Sequence, residues 1–231
     1  MQNISFHQAL VHDYPIDFEF DGFSYKIKES FKRHNITLIS NFSFGSGNNG
    51  LPPDLPRIQL NDENGHYAIS MSLRRIDFKV DCSTFEFLFD EFKTLAEEIL
   101  SVLRGLGVFP FKKSAATAII FPMAEPVSYI RKHLLNRNND FFDSPLTVSY
   151  TLSMTDAVEY EKGFALLRIT NISDAYRPKE DGENERFVHV YREINNFPAE
   201  EAENTISFER FMEVSAENFS EGAIKSAIGM E

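Results

Sequence analysis

The pair Asn64-Gly65, set between two alternating apolar runs in RIQLNDENGHYAISMSL, constrains this chain more than any other local feature. A tight two-residue turn of this kind needs positive φ, which asparagine tolerates and glycine adopts freely, so two antiparallel strands must leave it. An antiparallel sheet with one apolar face then needs a second layer to cover it.

That layer is written downstream. Phe85, Leu88, Phe89, Phe92, Leu95, Ala96, Ile99, Leu100 and Leu103 form one apolar stripe at helical spacing, with Glu86, Asp90, Glu91, Glu97 and Glu98 elsewhere on the surface. Ser83 and Glu86 stand at capping-box spacing and predict the helix start, while Gly105 and Gly107 predict its end. Upstream, Ile16, Phe18 and Phe20 alternate with Asp17 and Glu19 and predict a first strand. A helix over Phe23 to His34 and a strand ITLISNFSF follow, then a loop, GSGNNGLPPDLP.

In SMSLRRIDFKV the apolar residues change parity, from Met71 and Leu73 to Ile76, Phe78 and Val80, across Arg74 and Arg75. Successive strand side chains point to opposite faces, so the pair marks a β-bulge, a turn or a site that wants two cations, and in a strand running from the hairpin into the capped helix a β-bulge is the simplest reading. A bulge at a sheet rim leaves both arginines free to reach water or to contact an anion or a partner.

The second half follows the same order: SAATAIIF as a strand, a short helix with Pro126 at its first position, strands through PLTVSYTLSM, GFALLRITNI and ERFVHVYREI, and a last helix from about Ser207 to Ile228. We therefore expect one domain over residues 1–231, built as a tandem β-α-β-β-β-α duplication with halves at roughly 12–107 and 114–229. The predicted architecture is α+β, a large, mainly antiparallel sheet with two long helices packed on one face.

Composition narrows the function classes. Twenty-three phenylalanines and no tryptophan predict a phenylalanine core. The net charge is -12, and Lys179 to Glu221 holds twelve acids against four bases, which argues against binding a nucleic-acid backbone there. The opening residues lack a basic n-region with an apolar core, and no segment reaches membrane-span length, so we expect no membrane association and a cytoplasmic setting. The single cysteine, Cys82, permits no disulfide within the chain, and Asp81 beside it disfavours the thiolate.

Chemical motifs are sparse. There is no Walker motif, dinucleotide fingerprint, G-x-S-x-G or H-E-x-x-H, and no cofactor is expected. Asp54 after Pro53, with Asp77 and Lys79, imitates the acid pair and lysine of metal-dependent nucleases, although Asp54 lies in a loop. Asp17, Glu19 and Asp21 could gather oxygen ligands on one strand face or simply form its wet side. His7 and His12 are five apart, which aligns them on neither a helix nor a strand.

PRIQLNDENGHYAISMSLRRIDF, FKTLAEEILSVLRGLG and AATAIIF, with ERFVHVYREI and FERFMEVSAENFSEGAI at the other end, resemble a family of uncharacterised, sporadically distributed bacterial proteins of similar length. The resemblance implies a bacterial or mobile-element origin and, by analogy, a setting in bacterial defence or toxin neutralisation. It carries over no activity and no site residues.

The sequence thus predicts a non-enzymatic binding or scaffold protein for a protein partner, with homo-oligomerisation also open. Arg74 and Arg75 on one rim and Glu200, Glu201 and Glu203 in the acidic stretch are the candidate contacts. Two alternatives stand beside it: an apolar small-molecule site between sheet and helices, and a metal-dependent hydrolase or nuclease using Asp54, Asp77 and Lys79.

Overall fold

The structure, a computed structural model, describes residues 1–12, 18–43, 52–135, 149–161, 164–179, 182–196 and 206–230. It is α+β: β1 (Gln2–Val11), α1 (Phe20–Lys32), β2 (Leu38–Ser43), β3 (Ile58–Asp62), β4 (Tyr67–Met71), β5 (Arg75–Asp81), α2 (Phe89–Gly105), β6 (Lys112–Pro122), α3 (Pro126–His133), β7 (Thr151–Glu161), β8 (Phe164–Pro178), β9 (Asn184–Asn195), α4 (Phe208–Phe219) and α5 (Glu221–Ala227). The strands form a nine-stranded antiparallel sheet in the order β2-β3-β4-β5-β1-β6-β9-β8-β7. Contacts divide the chain into two compact units, one of Ser5–Ala115 with Asn195–Ile206, the other of Met1–Ile4, Ala116–Ile194 and Ser207–Glu231.

In the first unit, Gly65 takes φ 72° at the predicted hairpin, and β3 pairs β4 with Ile58 opposite Met71 and Leu60 opposite Ile69. The next hairpin corrects the sequence reading. Arg74 and Arg75 do not form a bulge in one strand; the chain reverses there, and β4 pairs β5 with Met71 opposite Ile76 and Ile69 opposite Phe78. A two-residue loop makes an odd-numbered residue face an even-numbered one, so the parity change is the signature of reversal. Ser72 builds the turn: its amide donates to Arg75 O at 2.9 Å, and its hydroxyl accepts from the amides of Arg74 and Arg75.

The predicted strand around Ile16 to Phe20 is also corrected. Phe20 opens α1, Glu19 precedes it as the N-cap and Asp21 lies in its first turn, so Glu19 and Asp21 are not on a strand; residues 13–17, Ile16 and Asp17 among them, lie outside the described residues. The opening strand is β1, which pairs β5 with Phe6 opposite Val80 and Leu10 opposite Ile76. α2 begins at Phe89, not beside Ser83, with the Leu88 amide donating to Glu91 Oε2 at 3.0 Å. Phe85 and Phe87 precede it and join a column of rings. Phe31 meets Phe78 at 5.7 Å between centroids, Phe78 stacks on Phe92 at 5.2 Å, Phe92 meets Phe6 at 5.4 Å, and Phe6 reaches Phe87 at 6.4 Å. These rings spend their faces on one another; each such pair adds about 1 kcal/mol beyond the area it buries.

In the second unit, β8 runs on through Pro178, beyond Ile172 where the predicted strand GFALLRITNI ends. Lys179 N bonds Glu183 O at 2.8 Å, and Gly182 at φ 83° supplies the left-handed position that closes the connection to β9. α3, with Pro126 in its first turn, and α5 cover Ile119, Phe121, Ile172, Val188 and Val190. The last helix is broken at Ser220, whose hydroxyl accepts from the Ala223 amide and starts α5. Strict β-α-β-β-β-α order therefore holds in neither unit: the first has a fourth strand after α1, and the second ends in two helices.

A buried arginine fixes that break. Arg192, 3% exposed, donates to Thr170 Oγ1 at 3.2 Å, Asn218 O at 3.1 Å and Ala223 O at 3.2 Å. Desolvation, helped by neighbouring Arg168, lowers its pKa to about 10, which still leaves it charged at neutral pH.

Candidate functional site

Backbone bonds set three loops of the first unit side by side along one rim. Phe111 N donates to Val11 O at 3.0 Å, His12 N to Arg74 O at 3.0 Å, and Leu73 N to Pro53 O at 2.9 Å. The rim thus joins the α2–β6 connection, the β4–β5 turn and the proline-rich turn that leads into β3. It is held rigidly: Asn196 Oδ1 accepts from Lys113 N at 2.7 Å, and Asn196 Nδ2 donates to Phe111 O at 3.1 Å. The buried Lys113 ammonium donates to Ile206 O at 3.2 Å, and burial, with the Arg104 charge, pushes its pKa down.

The rim projects apolar side chains into solvent. Phe109 is 68% exposed, Phe111 44% and Leu55 38%. Arg74, at the tip of the central turn, is exposed and forms no side-chain hydrogen bond or ion pair among the described residues. Arg75 behaves differently, because its Nε and Nη2 both bond Asp77 Oδ1, at 2.9 and 2.6 Å. The two arginines expected to act together are therefore separated, one free to meet a partner and one anchored.

Asp77 gathers a second ligand from β1. His7 Nε2 lies 2.9 Å from the same Oδ1, and since a carboxylate only accepts, that nitrogen carries the proton. Burial raises the Asp77 pKa, but hydrogen bonds from His7 and Arg75 and their charges outweigh it, and the net shift is downward. Lys79 lies on the same exposed face, across from His7 in register. Asp54 is in the exposed turn before β3. Among the described residues no group of three or more His, Cys, Asp or Glu side chains is placed to hold a metal ion, and the Asp77 carboxylate is already engaged. Cys82 is buried, and desolvation followed by Asp81 pushes its thiol up to about 12.

Glu200, Glu201 and Glu203 lie outside the described residues. The exposed apolar rim residues that sequence reasoning missed are Leu55, Phe109 and Phe111. Their signal was present: Phe109-Pro110-Phe111 places two large apolar residues in a connection after Gly107, where they belong to no helical or strand period. Among the described residues no helix is long and apolar enough to cross a membrane. No protein-family model matches the chain, and no curated protein matches it.

Proposed function

We propose that the chain is a protein-binding module and that the rim carrying Leu55, Arg74, Phe109 and Phe111 is its docking surface. The observation that carries this reading is the exposure of two phenylalanines, 68% and 44%, on a hydrogen-bonded loop set beside the Arg74 guanidinium, which has no side-chain partner among the described residues. Aromatic and arginine side chains are the residue types that dominate binding energy at protein interfaces, and rigid loops lose little entropy on docking. The partner accordingly presents an apolar pocket for the phenylalanines and a carboxylate for Arg74. Ring-on-ring packing in the interior favours this surface over an apolar ligand held inside the first unit.

We also read the two units as products of duplication. Support comes from their order: in each, a helix follows the first strand, later strands run as a meander, and the first strand neighbours the last of that meander.

Native mass spectrometry of the chain purified from its source cells tests the binding reading. A stoichiometric protein partner is expected, and Phe109→Asp with Phe111→Asp removes it while leaving the melting temperature within about 2 °C, as surface changes do. A partner retained by that double variant overturns the assignment of the rim.

A further inference from the structure

The three bonded loops of the rim are basic in a chain that is acidic elsewhere. Residues 52–57, 72–75 and 104–113 hold Arg57, Arg74, Arg75, Arg104, Lys112 and Lys113 against a single acid, Asp54, although the whole chain has 35 acids and 23 bases. Not all six cations are offered to solvent. Arg57 and Lys113 are buried, and Arg75 is engaged by Asp77. Arg74 and Arg104 are both exposed, and neither side chain makes a hydrogen bond or ion pair among the described residues.

These two guanidiniums belong to the same surface as the exposed phenylalanines. β5, β1 and β6 are neighbours, and Arg74 O accepts from His12 N while Phe111 N donates to Val11 O. Arg74 and Phe111 therefore flank the end of β1, two strand spacings or about 10 Å apart at the backbone. Arg104 stands where α2 gives way to the loop that carries Phe109: its carbonyl accepts from Gly107 N at 3.0 Å. Its charge reaches the Lys113 ammonium, whose pKa burial lowers first and Arg104 lowers further. Cations set in a low-dielectric interior are screened less than those in water, so Lys113 strengthens the positive potential above it.

We infer that the partner's docking element is a short acidic segment, its carboxylates pairing with Arg74 and Arg104 and its apolar residues closing around Phe109 and Phe111. This deepens, and rests on, the docking role proposed for the rim. A guanidinium meets a carboxylate through two parallel hydrogen bonds, which fixes orientation as well as charge. A long polyanion fits less well. A nucleic-acid strand would stack bases on the phenylalanines, and an anionic lipid surface would take the same aromatic and basic residues. Either extends past these loops to a surface that carries all the other acids of a chain of net charge -12, and is repelled there. A short segment ends where the positive field ends.

The test uses the full chain and three fluorescein-labelled peptides of equal length: a leucine–phenylalanine core flanked by glutamates, the same core flanked by lysines, and the same glutamates around a serine–glycine core. Fluorescence anisotropy is expected to rank the first about tenfold tighter than either other peptide. Arg74→Glu and Arg104→Glu each weaken it about tenfold, whereas Lys26→Glu, the same charge change at an exposed position of α1, leaves it unchanged. Equal binding of the two glutamate peptides, or an equal effect of Lys26→Glu, overturns the inference by reducing it to general charge attraction. Tighter binding of oligothymidylate or of phosphatidylserine vesicles, in competition with the peptide, overturns it in favour of a polyanion. A dimer in sedimentation velocity that Arg104→Glu abolishes overturns it in favour of a second copy. The native partner separates this inference from the reading beneath it. A partner lost on Phe109→Asp with Phe111→Asp but kept on Arg74→Glu with Arg104→Glu overturns the acidic segment alone; one kept by both variants overturns the rim itself.

Discussion

The outermost strands of the two units, β2 and β7, meet the same hazard in opposite ways. β2 is six residues long, breaks register with β3 between Ser40 and Phe42, and has Lys28 of α1 donating to Ser40 Oγ at 2.7 Å. β7 is nearly twice as long, keeps its register until Glu159, and carries no base. Shortness, a bulge and a nearby lysine close an edge to further strands, whereas their absence leaves it open. The lesson is that the two units present different surfaces: the first exposes apolar side chains on hydrogen-bonded loops, the second a long outer strand.

The comparison is broken most severely by removing what makes the first unit rigid. Phe92→Ala empties the centre of the ring column between Phe6 and Phe78 and is expected to cost about 3–5 kcal/mol in urea unfolding. A loss below about 1 kcal/mol would mean that the rim does not rest on this core. Arg192→Met is the matching change in the second unit. It leaves Asn218 O and Ala223 O without their donor and is expected to cost about 2 kcal/mol, with faster amide exchange in α5. Unchanged exchange there would show that Arg192 does not hold the α4–α5 break.

Smaller changes sharpen the contrast. Gly65→Ala forces a side chain into φ 72° and is expected to cost about 1 kcal/mol with no change in the β7 edge. The smallest effect concerns pH. Despite burial, hydrogen bonds from His7 and Arg75 hold the folded pKa of Asp77 below that of an ordinary aspartate, so its contribution to stability is present above the unfolded pKa and is lost as pH falls through the folded one. Asp77→Asn should therefore be less stable at neutral pH but show a shallower loss in acid, read by melting temperature from pH 6 down to about pH 2. Parallel acid limbs for the two proteins would remove Asp77 from that linkage.

Much of the fold was legible, and the failures have physical causes. Asn64-Gly65, the helix ending at Gly105, Pro126 at the start of α3 and the alternation of β9 all follow from local geometry. β1 escaped notice because a strand buried among others loses its two-residue period: Gln8, Ala9 and Leu10 are consecutive and all buried. The start of α2 was misplaced because Phe85, Phe87 and Phe89 fit a strand period as well as Phe85, Phe89 and Phe92 fit a helical one. Ring contacts decide between them, since Phe85 pairs with Phe87 at 5.6 Å and with His66 at 4.4 Å. The Asp77 cluster could not be seen, because His7 stands seventy residues away on the missed strand. Arg74 was legible as a rim residue, yet its apolar companions come together only when three separate loops are bonded side by side.

The docking rim is tested most directly by site-specific photo-crosslinking in source cells, with benzoylphenylalanine placed at Phe109 and, as a control of equal exposure in the same unit, at Tyr25 of α1. The account predicts one discrete crosslinked protein from position 109 that is absent from position 25 and lost on Arg74→Glu. The same products from both positions, undiminished by Arg74→Glu, would contradict it.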